Sequence, residues 1–160
     1  MNRLKFYNVN DKYIRYLHSF DIKVPFNKNQ NRPYVGIVIE INSFKYFAPM
    51  FSPKKNHMKY EDNPTYIKIG SQYGIIRFNN MIPVIDKYLK YINFDNINDI
   101  KYKNLLLAQN RFIQSNTDKI RDKAEKLYKF VTIDKKVFFV NLSCNFKLLK
   151  EKAALYSKLN

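Results

Sequence analysis

Residues 34–50, YVGIVIEINSFKYFAPM, decide the fold. Residues 34–41 (YVGIVIEI) are a run of β-branched and aromatic side chains, Asn42-Ser43 is a two-residue turn, and 44–50 (FKYFAPM) return as a second arm. The segment therefore predicts a β-hairpin. Gly36 inside the first arm signals a bulge or a close approach of backbone. Outward on the N-terminal side, 26–33 (FNKNQNRP) are a polar, basic loop. Ahead of it, 5–8 predict a strand, and Asn10 opens a helix to about residue 19, with Tyr13, Ile14, Leu17 and Phe20 on one face before Pro25 stops it. On the C-terminal side, a second loop at 52–64 leads into a hairpin of 65–69 and 73–78 across Gly70-Ser71-Gln72. Residues 81–85 are a short strand with Pro83 at an edge or bulge. Beyond residue 100 the period becomes helical. Helices are predicted over 102–115 (Leu105, Leu106, Ala108, Gln109, Phe112, Ile113), over 117–130 (Ile120, Ala124, Leu127, Tyr128) and over 146–155 with Asn145 as cap. There is no internal repeat and no linker, so the reading is one α+β domain over 1–160.

The chain has 29 Lys and Arg against 13 Asp and Glu, a net charge of +16 on 160 residues. That sign and size point to polyanions. Thirteen Tyr and thirteen Phe exclude intrinsic disorder. The single cysteine, Cys144, excludes an intramolecular disulfide and a Cys-rich zinc site, and reads as a small buried hydrophobe. No apolar run is long enough for a transmembrane helix, and the N-terminus lacks the apolar stretch of a signal peptide, so a cytoplasmic, soluble protein is expected. Twenty Asn, with abundant Lys, Ile, Tyr and Phe, also carry the mark of AT-rich coding. Asp and Glu have A-containing codons too and are not inflated, so the charge is read as functional.

The cations are concentrated. Between residues 22 and 60 stand Lys23, Lys28, Arg32, Lys45, Lys54, Lys55 and Lys59, opposed only by Glu40, and 63–85 contain Lys68 and Arg77 with no carboxylate. The loops that flank the first hairpin fold back to one end of the sheet. Arg32, Ser52, Lys54 and Lys55 are expected to converge there, as donors for a phosphate backbone. Metal-dependent hydrolysis needs carboxylate or imidazole ligands; the two histidines, His18 and His57, are far apart and the basic region has no acidic pair. Three glycines build neither a P-loop nor a dinucleotide fingerprint. RNA cleavage needs neither metal nor cofactor, because the 2′-hydroxyl is a nucleophile already beside its phosphate. The protein has to align it, neutralise the developing charge and move a proton. A non-catalytic RNA-binding module using the same surface is the alternative. An anionic-membrane binder is disfavoured, since no helix joins a basic face to a clean apolar one.

Four blocks carry a resemblance: KFYNVNDKYIRYLHSFDIKVP at the start, RPYVGIVIEINSFKYFAPMFSPKKNH, then FNNMIPV, and CNFKLLKEK near the end. In order and over nearly the whole chain, the sequence resembles the ToxN/AbiQ endoribonuclease toxins of type III toxin–antitoxin systems. The resemblance implies a strongly twisted antiparallel sheet, partly closed like the Kid/MazF barrel and surrounded by helices. It implies metal-independent cleavage of A-rich RNA that leaves a 2′,3′-cyclic phosphate. It also implies a cognate pseudoknot antitoxin RNA, cut from a repeated precursor and bound in a closed protein–RNA assembly, with cellular and phage RNA as substrates in abortive infection.

The resemblance implies a site after the AP segment. Ser52 would hold a phosphate oxygen or share the 2′-hydroxyl proton. Lys54 would stabilise the phosphorane or protonate the 5′-oxygen; an ordinary lysine, with a pKa of ~10.4, is a poor base. Arg32 would clamp the phosphate. His57 is the natural proton shuttle. Two positions depart from the family pattern: Phe51 stands where threonine is common, and Lys28 falls near a family tyrosine. Lys28, Tyr34, Phe51, Lys55, Lys59, Lys68 and Arg77 are candidate RNA contacts, with Tyr34 and Phe51 stacking on bases. Lys119, Arg121 and Lys123 would line the antitoxin groove. Phe47 is expected in the core.

Overall fold

The computed structural model describes residues 3–26, 34–55, 59 and 61–160. In chain order the elements are β1 (Phe6–Val9), α1 (Asp11–His18), β2 (Val35–Ile41), β3 (Phe44–Phe51), β4 (Tyr66–Lys68), β5 (Ile75–Arg77), β6 (Ile82–Pro83), β7 (Leu89–Tyr91), α2 (Ile100–Ser115), α3 (Thr117–Thr132), α4 (Val137–Leu142) and α5 (Phe146–Leu159). The class is α+β, as expected. The strands form one antiparallel sheet in the order β4-β5-β3-β2-β1-β7, with β6 beside β3. The path is open, with β4 and β7 at its ends.

The central hairpin forms where the sequence places it. Asn42 and Ser43 both take left-handed backbone (φ 50° and 63°), the requirement of a tight two-residue hairpin turn. The turn sets the register, from Ile41 opposite Phe44 to Gly36 opposite Pro49. Ile37, Ile39 and Ile41 are buried while Glu40 is exposed, so β2 alternates. In β3, residues 46–50 are all buried, the pattern of a strand covered on both faces. Gly36 is a close approach: a Cβ there would stand 2.4 Å from the Ala48 carbonyl oxygen and 2.5 Å from the Phe47 ring.

The helices cover the sheet. Buried Ile120, Ala124 and Leu127 of α3 and Phe146, Leu149 and Ala153 of α5 join the same core as the hairpin isoleucines. Tyr13 of α1 is fully buried, stacks on Tyr88 at 4.8 Å and donates its hydroxyl to the Pro83 carbonyl at 2.5 Å, which ties α1 to the edge strand β6. Asn10 and Asn145 cap their helices as expected, accepting from the backbone N–H of Tyr13 and Leu148. Phe47 is buried in the core.

Two elements lay outside the sequence reading. β7 is three residues long and mostly exposed, so it has no alternation to detect. Pairing with β1, together with the Ile92 N–H bond to the Phe6 carbonyl at 2.9 Å, makes it a strand. α4 is a short apolar run with Val137, Phe138 and Leu142 exposed, and it lacks the polar face by which a surface helix is recognised.

Candidate active site

The site candidates are gathered by the antiparallel pairing of β2 with β3. Because Gly36 lies opposite Pro49, the chain entering β2 lies beside the chain leaving β3. The Tyr34 and Phe51 rings meet edge to face there at 5.6 Å. On the other side of β3, Phe51 pairs with Ile75 of β5, and the Arg77 guanidinium lies 5.5 Å from the Phe51 ring. Phe51, the departure from the family threonine, is thus a half-buried ring between an aromatic and a cation. Burial raises the Tyr34 phenol above its ordinary pKa.

Ser52, Lys54 and Lys55 follow immediately and are exposed. Pro53, Lys54 and Lys55 form one wall of a cavity of about 250 Å³; Lys68 and the turn at 70–74 form the other. The turn is pressed against the Ser52 segment. A Cβ on Gly74 would stand 2.1 Å from the Phe51 carbonyl oxygen and 3.4 Å from the Pro53 nitrogen, and Gly74 has φ +104°. The Ile69 N–H bonds the Gly74 carbonyl at 2.8 Å and closes the turn. Gln109, buried on α2, donates to the Tyr73 carbonyl at 2.8 Å and holds it from behind. Gly74 was not singled out from the sequence, and Gln109 was read only as part of the helical pattern over 102–115. The available signal was that two of only three glycines stand within residues 70–74.

Of the other candidates, Arg32, His57 and Lys28 lie outside the described residues. Lys59 is exposed on the loop after Lys55. Lys119 is exposed on α3 and Arg121 half-buried. Lys123, one turn on from Lys119, forms an ion pair with Asp62 and donates to the Tyr66 carbonyl at 3.1 Å. It therefore ties the end of the 52–64 loop and β4 to α3. A larger cavity, about 620 Å³, opens between α4 and the start of α5, and none of the expected site residues lines it.

The Asp62 tie titrates. Its hydrogen bond to Lys123, reinforced by Lys119 and Lys68, holds the carboxyl below its ordinary 3.8. With the folded value depressed, the stabilisation is complete above the unfolded value and is lost as pH falls through the folded one. Asp62→Asn is therefore expected to lower the melting temperature slightly at pH 7, by the equivalent of less than about 1 kcal/mol for so exposed a carboxylate. The difference from the parent should begin to shrink as pH falls below about 4. A difference independent of pH would remove the ion pair as its cause.

A family model described as "Toxin ToxN, type III toxin-antitoxin system" matches residues 5–154. The chain is 37% identical to an endoribonuclease ToxN of Bacillus thuringiensis subsp. kurstaki, over 96% of this chain and 84% of that protein. It is 36% identical to the endoribonuclease ToxN of Pectobacterium atrosepticum, over 97% and 95%. It is 35% identical to endoribonuclease AbiQ of Lactococcus lactis subsp. lactis, over 97% and 90%. Among solved structures, a type III toxin from work on selective inhibition by a non-coding RNA pseudoknot superposes with a TM-score of 0.86 at 32% identity, over 98% of this chain and 99% of that one. AbiQ, described as a lactococcal anti-phage endoribonuclease, superposes with a TM-score of 0.84 at 30% identity, over 98% and 99%.

Proposed function

From the premise that this chain belongs to the ToxN family of type III toxin–antitoxin systems, we propose that it is an endoribonuclease toxin that cuts RNA through the RNA's own 2′-hydroxyl. Its partner is an antitoxin RNA with a pseudoknot fold, and its role is defence against phage by abortive infection. The whole of 1–160 acts as one cytoplasmic endoribonuclease domain. Among the described residues, no helix is long and apolar enough to cross a membrane. The antiparallel sheet under its helices supports the Kid/MazF likeness, which a superposition would decide.

The observation that carries the reading is the segment leaving β3. There an exposed hydroxyl, Ser52, directly precedes Pro53, Lys54 and Lys55, which line a cavity whose far wall adds Lys68. Residues 63–85, which build that wall, contain no carboxylate to compete with a phosphate. In the proposed step the 2′-oxygen attacks the adjacent phosphorus and forms a bond as the P–O5′ bond breaks. The products are a 2′,3′-cyclic phosphate and a free 5′-hydroxyl. Ser52 holds a phosphate oxygen or shares the 2′-hydroxyl proton. Lys54 stabilises the phosphorane or supplies the proton to the 5′-oxygen. Arg32 clamps the phosphate and His57 moves the proton. Tyr34 and Phe51 offer ring faces to bases, and Lys28, Lys55, Lys59, Lys68 and Arg77 take flanking phosphates. Of the α3 candidates, exposed Lys119 is the one offered to the antitoxin, since Lys123 is held by Asp62 and the Tyr66 carbonyl and Arg121 lies on a different face of the helix. A-rich substrates, processing of the antitoxin precursor and a closed protein–RNA assembly belong to the same proposal.

The test is cleavage of an A-rich RNA in EDTA, with the product ends identified. Cleavage leaving a cyclic phosphate is expected. Cleavage only after Mg²⁺ is added would refute the metal-free step, and binding without cutting would favour a binding module instead.

A further inference from the structure

Among the described residues, α4 is the one α-helix with no buried side chain, although its sequence, VFFVNL, is almost wholly apolar. Val137, Phe138, Val140 and Leu142 are exposed, with Ile133 just before the helix and Phe20 across the cavity that α4 borders. Burial therefore does not hold this helix in place. Its carbonyls and one ring do. The Lys23 ammonium donates to the Val140 and Ser143 carbonyls at 3.5 and 3.2 Å, and Asn79 Nδ2 donates to the Leu142 carbonyl at 3.2 Å. The Phe139 ring stacks on Phe130 at 5.2 Å. The backbone is fixed while the apolar side chains stay in water, which marks a contact surface.

The cavity of about 620 Å³ between α4 and the start of α5 gives that surface depth, and Val131, Phe146 and Leu148 extend its apolar wall. Three lysines line it, Lys23, Lys135 and Lys147, against one aspartate, Asp21. The two Asp21 oxygens already accept the backbone N–H groups of Lys23 and Asn145, at 3.0 and 2.7 Å. An apolar groove with a cationic border complements a helix that carries carboxylates beside an apolar stripe. We propose that the groove between α4 and α5 docks an acidic amphipathic helix of a protein partner. The proposal is independent of the endoribonuclease reading, because none of the residues assigned to cleavage lines this groove. A second copy of the chain is a poor occupant, since matching surfaces would set lysines against lysines on molecules of charge +16. RNA is a poor one too. Valine, leucine and isoleucine give bases nothing to stack on, and the Lys23 ammonium already serves two carbonyls.

The probe is a labelled peptide of about 18 residues, long enough to be helical, with Leu at i, i+3, i+4 and i+7 and Glu and Ala elsewhere. Its binding to the full chain is measured by fluorescence anisotropy at physiological salt. The comparison is the double variant Val137→Ser, Phe138→Ser. These positions are 72% and 63% exposed, so the melting temperature is expected to be unchanged. The acidic peptide is expected to bind the parent and to lose at least about tenfold in affinity for the variant. The same peptide with Lys in place of Glu is expected to lose as much against the parent. RNA cleavage and RNA affinity of the variant are expected to be parental. Absence of binding, equal binding to the variant, or equal binding of the Lys peptide would each overturn the proposal. So would three other results. Weaker RNA binding by the variant would make α4 an RNA surface. A parent that sediments as a dimer beside a monomeric variant would make it a contact between copies. Pelleting of the parent alone with phosphatidylglycerol vesicles would make it a membrane contact.

Discussion

Exchanging Lys54 for Met lowers the single-turnover rate of RNA cleavage by about 10²–10³-fold, the usual loss when one preorganised donor is taken from a developing oxyanion. Lys54 is exposed at the edge of the cavity beside Ser52, and Met keeps its length, so the melting temperature should stay near that of the parent. Affinity should fall only modestly, because Lys54 is one cation among many on a chain of charge +16. Lys54→Arg separates the two roles. Arginine keeps the charge but does not give up its proton, so it rescues electrostatic stabilisation and fails to rescue proton donation. Ser52→Ala should fall in the same range as Lys54→Met if its hydroxyl holds the phosphate. A parental rate in Lys54→Met would remove Lys54 from the reaction altogether.

The second large effect is expected at a residue with no side chain. Gly74→Ala places a methyl group 2.1 Å from the Phe51 carbonyl oxygen, and the obstacle is backbone in a paired strand, which cannot swing aside. The φ of +104° adds strain of about 1–3 kcal/mol for a non-glycine residue. Relief of the clash has to separate the turn from the segment that bears Ser52. A fall in melting temperature on the order of 10 °C is expected for a chain of this size, with loss of cleavage. Thermal melts alongside Gln72→Ala, which changes the same turn without touching its backbone, supply the comparison. A parental midpoint would mean that the turn does not rest on β3 as described.

The parts of the fold legible in the sequence were those whose determinants are local. The central hairpin could be read because Asn42-Ser43 lies between two apolar arms, and the helices could be read from Asn caps and regular spacing. β7 and α4 could not. One exists only because β1 offers it partners, and the other buries too little to leave a periodic trace. The candidate site divides in the same way. Ser52 and Lys54 could be named from their place after the hairpin and from the resemblance. Lys68 and the turn at Gly70-Ser71-Gln72 were also named, but that they form the opposite wall was not legible, because Gly74 packs on the Phe51 carbonyl and Gln109 holds the Tyr73 carbonyl from a helix more than thirty residues later. Lys123 illustrates the reverse limit. In the sequence it is a candidate for the antitoxin groove; in the structure much of its side chain is covered and its ammonium joins Asp62 and the β4 carbonyl of Tyr66 to α3.

The register of the 35–51 hairpin also constrains how this protein can diverge. An odd-numbered insertion within β2 would exchange inside for outside along the rest of that arm, sending Ile37 and Ile39 toward the wrong face, and one within β3 would exchange Tyr46 and Ala48 with Phe47 between two differently packed faces. It would also slide Ser52 along the sheet away from the turn at 70–74. Extra residues before Tyr34 or after Lys55 carry only the slow, logarithmic penalty of a longer loop. New target preferences can therefore be explored cheaply by lengthening those connections, whereas the spacing from Gly36 to Ser52 behaves as a ruler.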